Sequence, residues 1–321
     1  MADTEPIRRS AAGERAVVIL NPIAGGGRGR RLRAEITREL AARRIDFTIQ
    51  ETAGPGHATE LARDAVSDGA DLVLAAGGDG TIHEVVNGLM TAPAAAREPV
   101  LAVLPVGTGN DFIKAVYPGR GLAAALRALD TGHVRRLDVG RAEWDGEVEY
   151  FVNGFGTGVD VEVVRRLNRL PHLPGLWRYL AAAIQALAVY RPVPLRLSLD
   201  GRVRERRTML LAVGNGPCQA GGFYLTPQAT PDDHRFDVCI VDEMNYLEIA
   251  TVLPRVFRGT HGRSRKVTME RARGITVEGS GEGLLFFQMD GELRQAHGAR
   301  VQVQVAPAAL PVLAPVGGAG K

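Results

Sequence analysis

Cysteine is nearly absent: Cys218 and Cys239 are the only two in 321 residues. Their spacing fits no metal site, which excludes disulfide scaffolds and zinc ribbons and leaves two free thiols in a reducing compartment as the expectation. No apolar run reaches membrane-spanning length; Leu180 to Val189 is too short and contains Gln185. The opening stretch, Met1 to Arg15, is charged and has no apolar centre, so no signal peptide is expected. A formal charge of +3 gives no ground for a polyanionic partner such as nucleic acid. Internal repeats are missing as well. So is the P-loop, since no stretch supplies Gly-x-x-x-x-Gly-Lys-Ser/Thr. A dinucleotide fingerprint at Gly25-Gly26-Gly27-Arg28-Gly29 fails at Arg30, where its third glycine would stand. His83-Glu84-Val85-Val86-Asn87 imitates a zinc protease motif, but Asn87 replaces the second histidine and excludes that chemistry.

What is present is organised around Leu72 to Leu89. Leu72 to Ala76 is a continuous apolar run of buried-strand length, ending in Gly77-Gly78-Asp79-Gly80. Ile82, Val85, Val86 and Leu89 then recur at helical spacing, and Thr81 with Glu84 three residues on reads as a capping box. Strand, glycine turn and helix form a unit in which bare backbone N–H groups can meet phosphate oxygens. Taken alone, the turn is equally well read as a tight connection with no ligand.

A hydrophobic content of 45% and a charged content of 23% suit a folded protein, and the length suggests two domains. Strands at Ala16–Leu20, Phe47–Thr52, Leu72–Ala76 and Val100–Leu104 alternate with helices from Leu32, His57 and Ile82. That alternation predicts a parallel sheet covered on both faces, with ligands at the strand C-terminal ends. After Leu129 the sequence turns strand-rich, which predicts a second, mainly antiparallel domain with helices at about Val159–Leu170, Leu176–Tyr190 and Leu247–Phe257. The expected division is a disordered lead-in at 1–14, an α/β domain at 15–135, a β-rich domain at 136–306 and a tail at 307–321.

Gly77-Gly-Asp-Gly-Thr81, followed by Leu104-Pro-Val-Gly-Thr-Gly-Asn-Asp-Phe112, resembles the diacylglycerol kinase catalytic domain of the bacterial lipid kinases. Asn21-Pro22, Thr52 with His57-Ala58, Gly154-Phe155 through Asp160, Leu176-Trp-Arg-Tyr-Leu180 and Met289-Asp-Gly-Glu292 match in the same order over nearly the whole chain. The resemblance implies a Rossmann-like parallel-sheet domain followed by an antiparallel β-sandwich domain with a few helices, the tail returning to the first. It also implies a cytoplasmic enzyme that visits the membrane surface and moves the γ-phosphoryl group of ATP, with Mg²⁺, onto a lipid hydroxyl. Diacylglycerol is the first choice of acceptor, and the nucleotide is expected in a cleft between the domains.

By the same resemblance, Gly77, Gly78, Gly80, Thr81, Gly107, Thr108 and Asn110 hold the nucleotide phosphates and ribose, with Asn21, Thr52 and Glu292 on the adenine side. Asp79, Asp111 and Asp138 are the candidate Mg²⁺ network. Asp290 is the first choice for general base and Asp79 the rival, although Asp290-Gly291 is also a favoured hairpin turn. Asp160 and Arg165 are assigned to the acceptor's polar head, and Phe155, Leu176, Trp177 and Tyr179 to its chains. Asp233 and Asp237 resemble a segment that carries a structural Mg²⁺ in some members, but His234 stands where they have glycine. Basic clusters at Arg28–Arg33 and Arg255–Lys266 could help docking on an anionic bilayer. NAD kinases share the first glycine motif and sphingoid kinases the chemistry; a nucleotide-binding regulator without catalysis is the reading from another class. Nothing in the residues reads out oligomeric state, and a homodimer stays open.

Overall fold

The computed structural model describes residues 14–94, 97–117, 121–167, 175–219, 221–279 and 283–315, with the side chains of 175–179 left aside. The expected disordered lead-in, apart from Glu14, and the loose C-terminal residues fall outside this set, as do the expected roles of Leu176, Trp177 and Tyr179. The chain forms two compact units, one up to Leu137 together with Ala308 onward, the other Asp138–Pro307.

The first unit runs β1 (Arg15–Leu20), α1 (Ala24–Ala42), β2 (Asp46–Glu51), α2 (His57–Ser67), β3 (Leu72–Gly77), α3 (Asp79–Thr91), β4 (Val100–Pro105), α4 (Asp111–Val116) and α5 (Leu122–Thr131). β2, β1, β3 and β4 pair in that order, all parallel. Every residue of β3 and β4 is buried, which is why both read as unbroken apolar runs rather than alternating ones. The regular part of α1 begins only after Gly25, Gly26 and Gly27, whose φ values of 59°, 68° and 84° only glycine adopts in succession without strain. Tyr117 closes the unit: its buried hydroxyl donates to Leu313 O at 2.6 Å and accepts from Val103 N–H at 3.3 Å, which ties the returning C-terminal segment to β4.

One local expectation is corrected. α3 starts at Asp79 rather than after Thr81, its N-cap is Gly78, and no side chain caps it. Glu84 caps a different helix: its carboxylate accepts N–H bonds from Gly56 at 2.9 Å and Ala58 at 3.1 Å, at the N-terminus of α2. The spacing of a capping box was present, but the donors that Glu84 satisfies belong to a tertiary neighbour.

The second unit comprises β5 (His133–Trp144), which begins in the first, then β6 (Glu147–Phe151), β7 (Gly154–Gly158), α6 (Val159–Leu167), α7 (Gly175–Val189), β8 (Val193–Leu199) and β9 (Arg202–Gly214). β10 (Phe236–Asp242), α8 (Tyr246–Val256), β11 (Val267–Ala272), β12 (Gly274–Gly279), β13 (Leu285–Met289), β14 (Glu292–Ala296) and β15 (Arg300–Ala314) complete it, β15 ending in the first unit. Within this unit the strand pairs among the described residues are antiparallel. Alternation along β9 and β10 sorts side chains between two cores. Leu211, Val213, Val238 and Ile240 meet Trp144, Phe151 and Phe287 in a sandwich core. Ala212, Cys239 and Val241 face the other way, against residues of α6, α7 and α8. The helix α8 does carry a true capping box, with Asn245 accepting from Glu248 N–H at 3.0 Å and Glu248 accepting from Asn245 N–H at 2.8 Å.

Candidate functional site

In the first unit, Asn21, Thr52, Gly78 and Gly107 all lie just past the C-terminal ends of their strands, along one edge of the parallel sheet. Asn21 Nδ2 donates to Thr81 Oγ1 at 3.0 Å, and Thr81 fills the space beside Gly77, where a Cβ would sit 2.4 Å from its side chain. The two glycine loops touch backbone to backbone. A Cβ on Gly107 would lie 2.5 Å from Gly78 Cα, and the Val106 and Gly107 N–H groups both donate to Gly77 O at 3.0 Å. Gly107 therefore braces the first loop, with its N–H engaged by Gly77 O. Asn110 takes a left-handed φ of 51° and donates through Nδ2 to Gly107 O at 3.0 Å, while its Oδ1 is buried without a partner.

Asp79 links the loops. Its Oδ1 accepts from Asp111 N–H at 2.8 Å and Phe112 N–H at 3.4 Å, capping α4, and its Oδ2 stands where a Cβ on Gly109 would come within 2.6 Å. Asp111 is buried and pairs with Lys114 Nζ at 2.7 Å. Magnesium beside a triphosphate asks for one or two carboxylates and keeps waters; Asp79 and Asp111, at the starts of α3 and α4, are carboxylates of that kind, with Lys114 already holding Asp111 Oδ1. Asp138 belongs to the second unit and is fully buried, with Oδ1 2.9 Å from His234 Nδ1 and Oδ2 accepting the His234 N–H at 2.6 Å. Among the described residues, no three His, Cys, Asp or Glu side chains gather as a metal site.

The structural-metal expectation for Asp233 is also corrected. Arg271 pairs with Asp233, and its Nε lies 3.6 Å from Asp237 Oδ2, the two residues being register partners across β10 and β11. Asp233 Oδ1 in addition accepts the Arg235 N–H at 3.2 Å. A guanidinium sits where a cation would have to bind, so the residues present do not fit a metal. His234 keeps the left-handed φ, 62°, that glycine would adopt freely there, held by its bonds to Asp138. Burial pushes the Asp237 carboxyl up to about 6, which marks the charge Arg271 must balance. Arg271→Met should therefore lower the melting temperature of the nucleotide-free protein in EDTA by several degrees and make it rise on adding magnesium. A natural chain that itself melts earlier in EDTA and recovers with magnesium would contradict this.

In the second unit, Asp290 and Gly291, with φ of 50° and 92°, form the two-residue turn between β13 and β14. The Asp290 carboxylate is firmly anchored: Oδ1 accepts from Asn153 N–H at 2.8 Å and Gly154 N–H at 3.0 Å, and Oδ2 from Val152 N–H at 3.0 Å. Glu292 is exposed at the start of β14. Gln288, which the sequence reading passed over, connects two of the named acids. Its Nε2 donates to Asp160 Oδ2 at 2.7 Å, and its Oε1 accepts the Gly291 N–H at 2.7 Å. Asp160 stands over Gly156, where a Cβ would collide with Oδ2 at 2.1 Å, and desolvation pushes its carboxyl up to about 6.

Asp160 also borders an apolar cavity of about 110 Å³, lined by residues of α6, α7, α8, β9 and β10, among them Val163, Leu187, Met209 and Val252. Gln219 and His261 are its other polar neighbours. Phe155, assigned to the acceptor's chains, instead faces the sandwich core and stacks on Phe287 with centroids 5.3 Å apart. Arg165 is turned from Asp160 as well; it pairs with Glu162 at 2.9 Å, lies 4.1 Å over the Phe286 ring, and lines a separate groove. Both cysteines are free and buried, and burial pushes the Cys239 thiol up to about 12. No helix among the described residues is long and apolar enough to cross a membrane.

Comparison with known proteins agrees with this arrangement. Residues 15–142 match the diacylglycerol kinase catalytic domain family, and residues 154–314 match the YegS C-terminal NAD kinase beta sandwich-like domain. A diacylglycerol kinase of Staphylococcus aureus (strain MRSA252) is 30% identical over 280 residues, covering 87% of this chain and 86% of its own. A crystal structure of a diacylglycerol kinase from Bacillus anthracis str. Sterne shares the fold at a TM-score of 0.69 and 24% identity, covering 94% of this chain and 97% of its own. The two-unit fold, the paired glycine loops and these matches together make the chain a member of the diacylglycerol kinase catalytic-domain family of lipid kinases.

Proposed function

We propose that the chain transfers the γ-phosphoryl group of ATP, with Mg²⁺, to a lipid hydroxyl, diacylglycerol being the preferred acceptor. The observation that carries the lipid part is the apolar cavity bordered by Asp160, whose carboxylate is joined through Gln288 to the turn that holds Asp290. An acyl chain suits such a lining, and the polar head then meets a carboxylate rather than bulk water. The cavity is too small for a whole chain, so longer acceptors require the surrounding helices to give way. In the first unit the N-terminus of α3, with Gly78, Gly80 and Thr81, holds the phosphates, and Asn21 and Thr52 lie toward the adenine. Phosphoryl transfer asks the protein mainly for position and charge neutralisation. Asp79 and Asp111 would hold the magnesium ion, which neutralises phosphate charge when bound. Asp290 orients the acceptor hydroxyl and takes its proton, and Asp79 is the alternative for that proton. The enzyme works from the cytoplasm and visits the membrane surface to meet its acceptor.

An acceptor screen with ATP and magnesium tests this, using diacylglycerol, monoacylglycerol, a sphingoid base and NAD. The proposal expects organic-extractable product, most with diacylglycerol; product with NAD alone would replace it by an NAD kinase. The pH dependence gives a second check. Asp160 meets the acceptor's polar head as a carboxylate in this reading, so turnover should rise with pH through about 6, and Asp160→Asn should remove that limb. Stability moves the opposite way. Because the folded chain binds this proton more tightly than the unfolded one, stability falls as pH rises from 3.8 to about 6. Asp237 contributes in the same window, so Asp160→Asn should flatten the fall only in part.

A further inference from the structure

Two side chains stand over the same face of β7. Gly154 and Gly156 are two residues apart on that strand, so their missing side chains leave room on one face, while Phe155 points to the other. Asp160 fills the space over Gly156; over Gly154, a Cβ would lie 2.2 Å from Gln219 Nε2. The Gln219 backbone is fixed by an isolated bridge to Phe223, with N–H···O bonds of 2.9 Å in both directions. The residue is only 8% exposed, yet neither Oε1 nor Nε2 has a hydrogen-bond partner. It lines the same apolar cavity as Asp160, Phe223, Leu225 and His261. The His261 ring is held by Nε2, 3.1 Å from Leu225 O, and its Nδ1 is likewise unpartnered.

Buried polar groups are nearly always satisfied, and an amide left with both ends open in an apolar wall is costly. A chain that folds around such a group either stores water there or presents it to a ligand. Gln219 and Asp160 stand over neighbouring glycines on the same face of β7 and both line the cavity, which favours a ligand. We infer that Gln219 reads the ester carbonyl of the lipid acceptor, its Nε2–H₂ donating to that oxygen beside the Asp160 carboxylate. Gln219 is thus a specificity-determining residue, selecting an acylated glycerol over an acceptor of the same shape that lacks the carbonyl. The inference rests on the lipid kinase reading above and adds the chemistry by which the acceptor is told apart. A site built to hydrogen-bond one group discriminates strongly against an analogue without it, because the protein's own polar atom is then left unpaired.

The test compares 1,2-diacylglycerol with its 1,2-dialkyl ether in mixed micelles, for the natural chain and for Gln219→Leu. The natural chain should prefer the diacyl lipid. Gln219→Leu should lower kcat/KM for that lipid by about tenfold, leave the ether within about twofold, and leave the KM for ATP unchanged. Gln219→Met serves as the second variant should leucine disturb folding, with the same expectation. An unchanged ratio between the lipids overturns the inference, most plainly if the variant melts higher, since the amide then held only water. A natural chain that phosphorylates neither lipid overturns the lipid kinase reading, and this inference with it, whereas activity on both with an unchanged ratio overturns this inference alone.

Discussion

Asp290→Asn will melt roughly 5–10 °C below the natural chain as well as losing turnover. Asp290 accepts three backbone N–H bonds, from Val152, Asn153 and Gly154, through both carboxylate oxygens. Asparagine offers one oxygen, so its amide must point N–H at N–H on the other side. Charge-assisted bonds lost in this way cost about 2–4 kcal/mol. The backbone does not confuse the comparison, because asparagine tolerates the φ of 50° as readily as aspartate. If Asp290 also orients the acceptor hydroxyl, turnover at temperatures where the variant stays folded should fall by about 10²-fold or more. ATP affinity should stay close to that of the natural chain. Calorimetry and steady-state kinetics on the same sample separate the two effects. A variant with an unchanged melting temperature would mean that the three bonds stabilise nothing, and a pure loss of ATP binding would reassign the residue.

The opposite division is expected at Asp79. Asp79→Asn keeps an oxygen in place of Oδ1, which can still accept the Asp111 and Phe112 N–H bonds that cap α4. Stability should change by less than about 1 kcal/mol, the scale of a helix cap. The charge is lost, however; if Asp79 steers a magnesium ion against the phosphates as proposed, turnover should fall by at least about 10²-fold. Asp79→Ala should lose both the cap and the rate. The pair of variants thus distinguishes charge from scaffold, with thermal melts reporting one and kcat the other. Unchanged turnover in Asp79→Asn would remove this residue from the chemistry.

Much of the first unit was legible because its signals are local. A strand buried on both faces must be apolar throughout, and Leu72–Ala76 says so directly; the turn that follows must be glycine because Thr81 and the second loop crowd it. Signals that depend on tertiary neighbours were misread. Thr81 and Glu84 have capping-box spacing, but one serves Asn21 and the other α2. β7 is Gly-Phe-Gly-Thr-Gly, a poor strand former by composition that is held by pairing to β9 and β13. β11 carries Glu270 and Arg271 side by side, breaking the alternation of a strand, because Arg271 faces Asp237 of its partner β10, and β14 hides behind a turn that also reads as chemistry. In the site, Gln288 carried a usable signal, a lone amide within the apolar run Phe286–Met289. The cavity and the role of Arg271 could not be found in this way, since both arise from segments far apart in sequence that meet only in the fold.

Amide hydrogen exchange, with and without an unhydrolysable ATP analogue and magnesium, bears most directly on the claim that the two glycine loops hold the triphosphate. The account predicts slowed exchange confined in the first unit to 77–82 and 107–112, with much weaker protection in Asp79→Asn. Saturable nucleotide binding that leaves both segments exchanging at their free rates, or no binding at all, would contradict it.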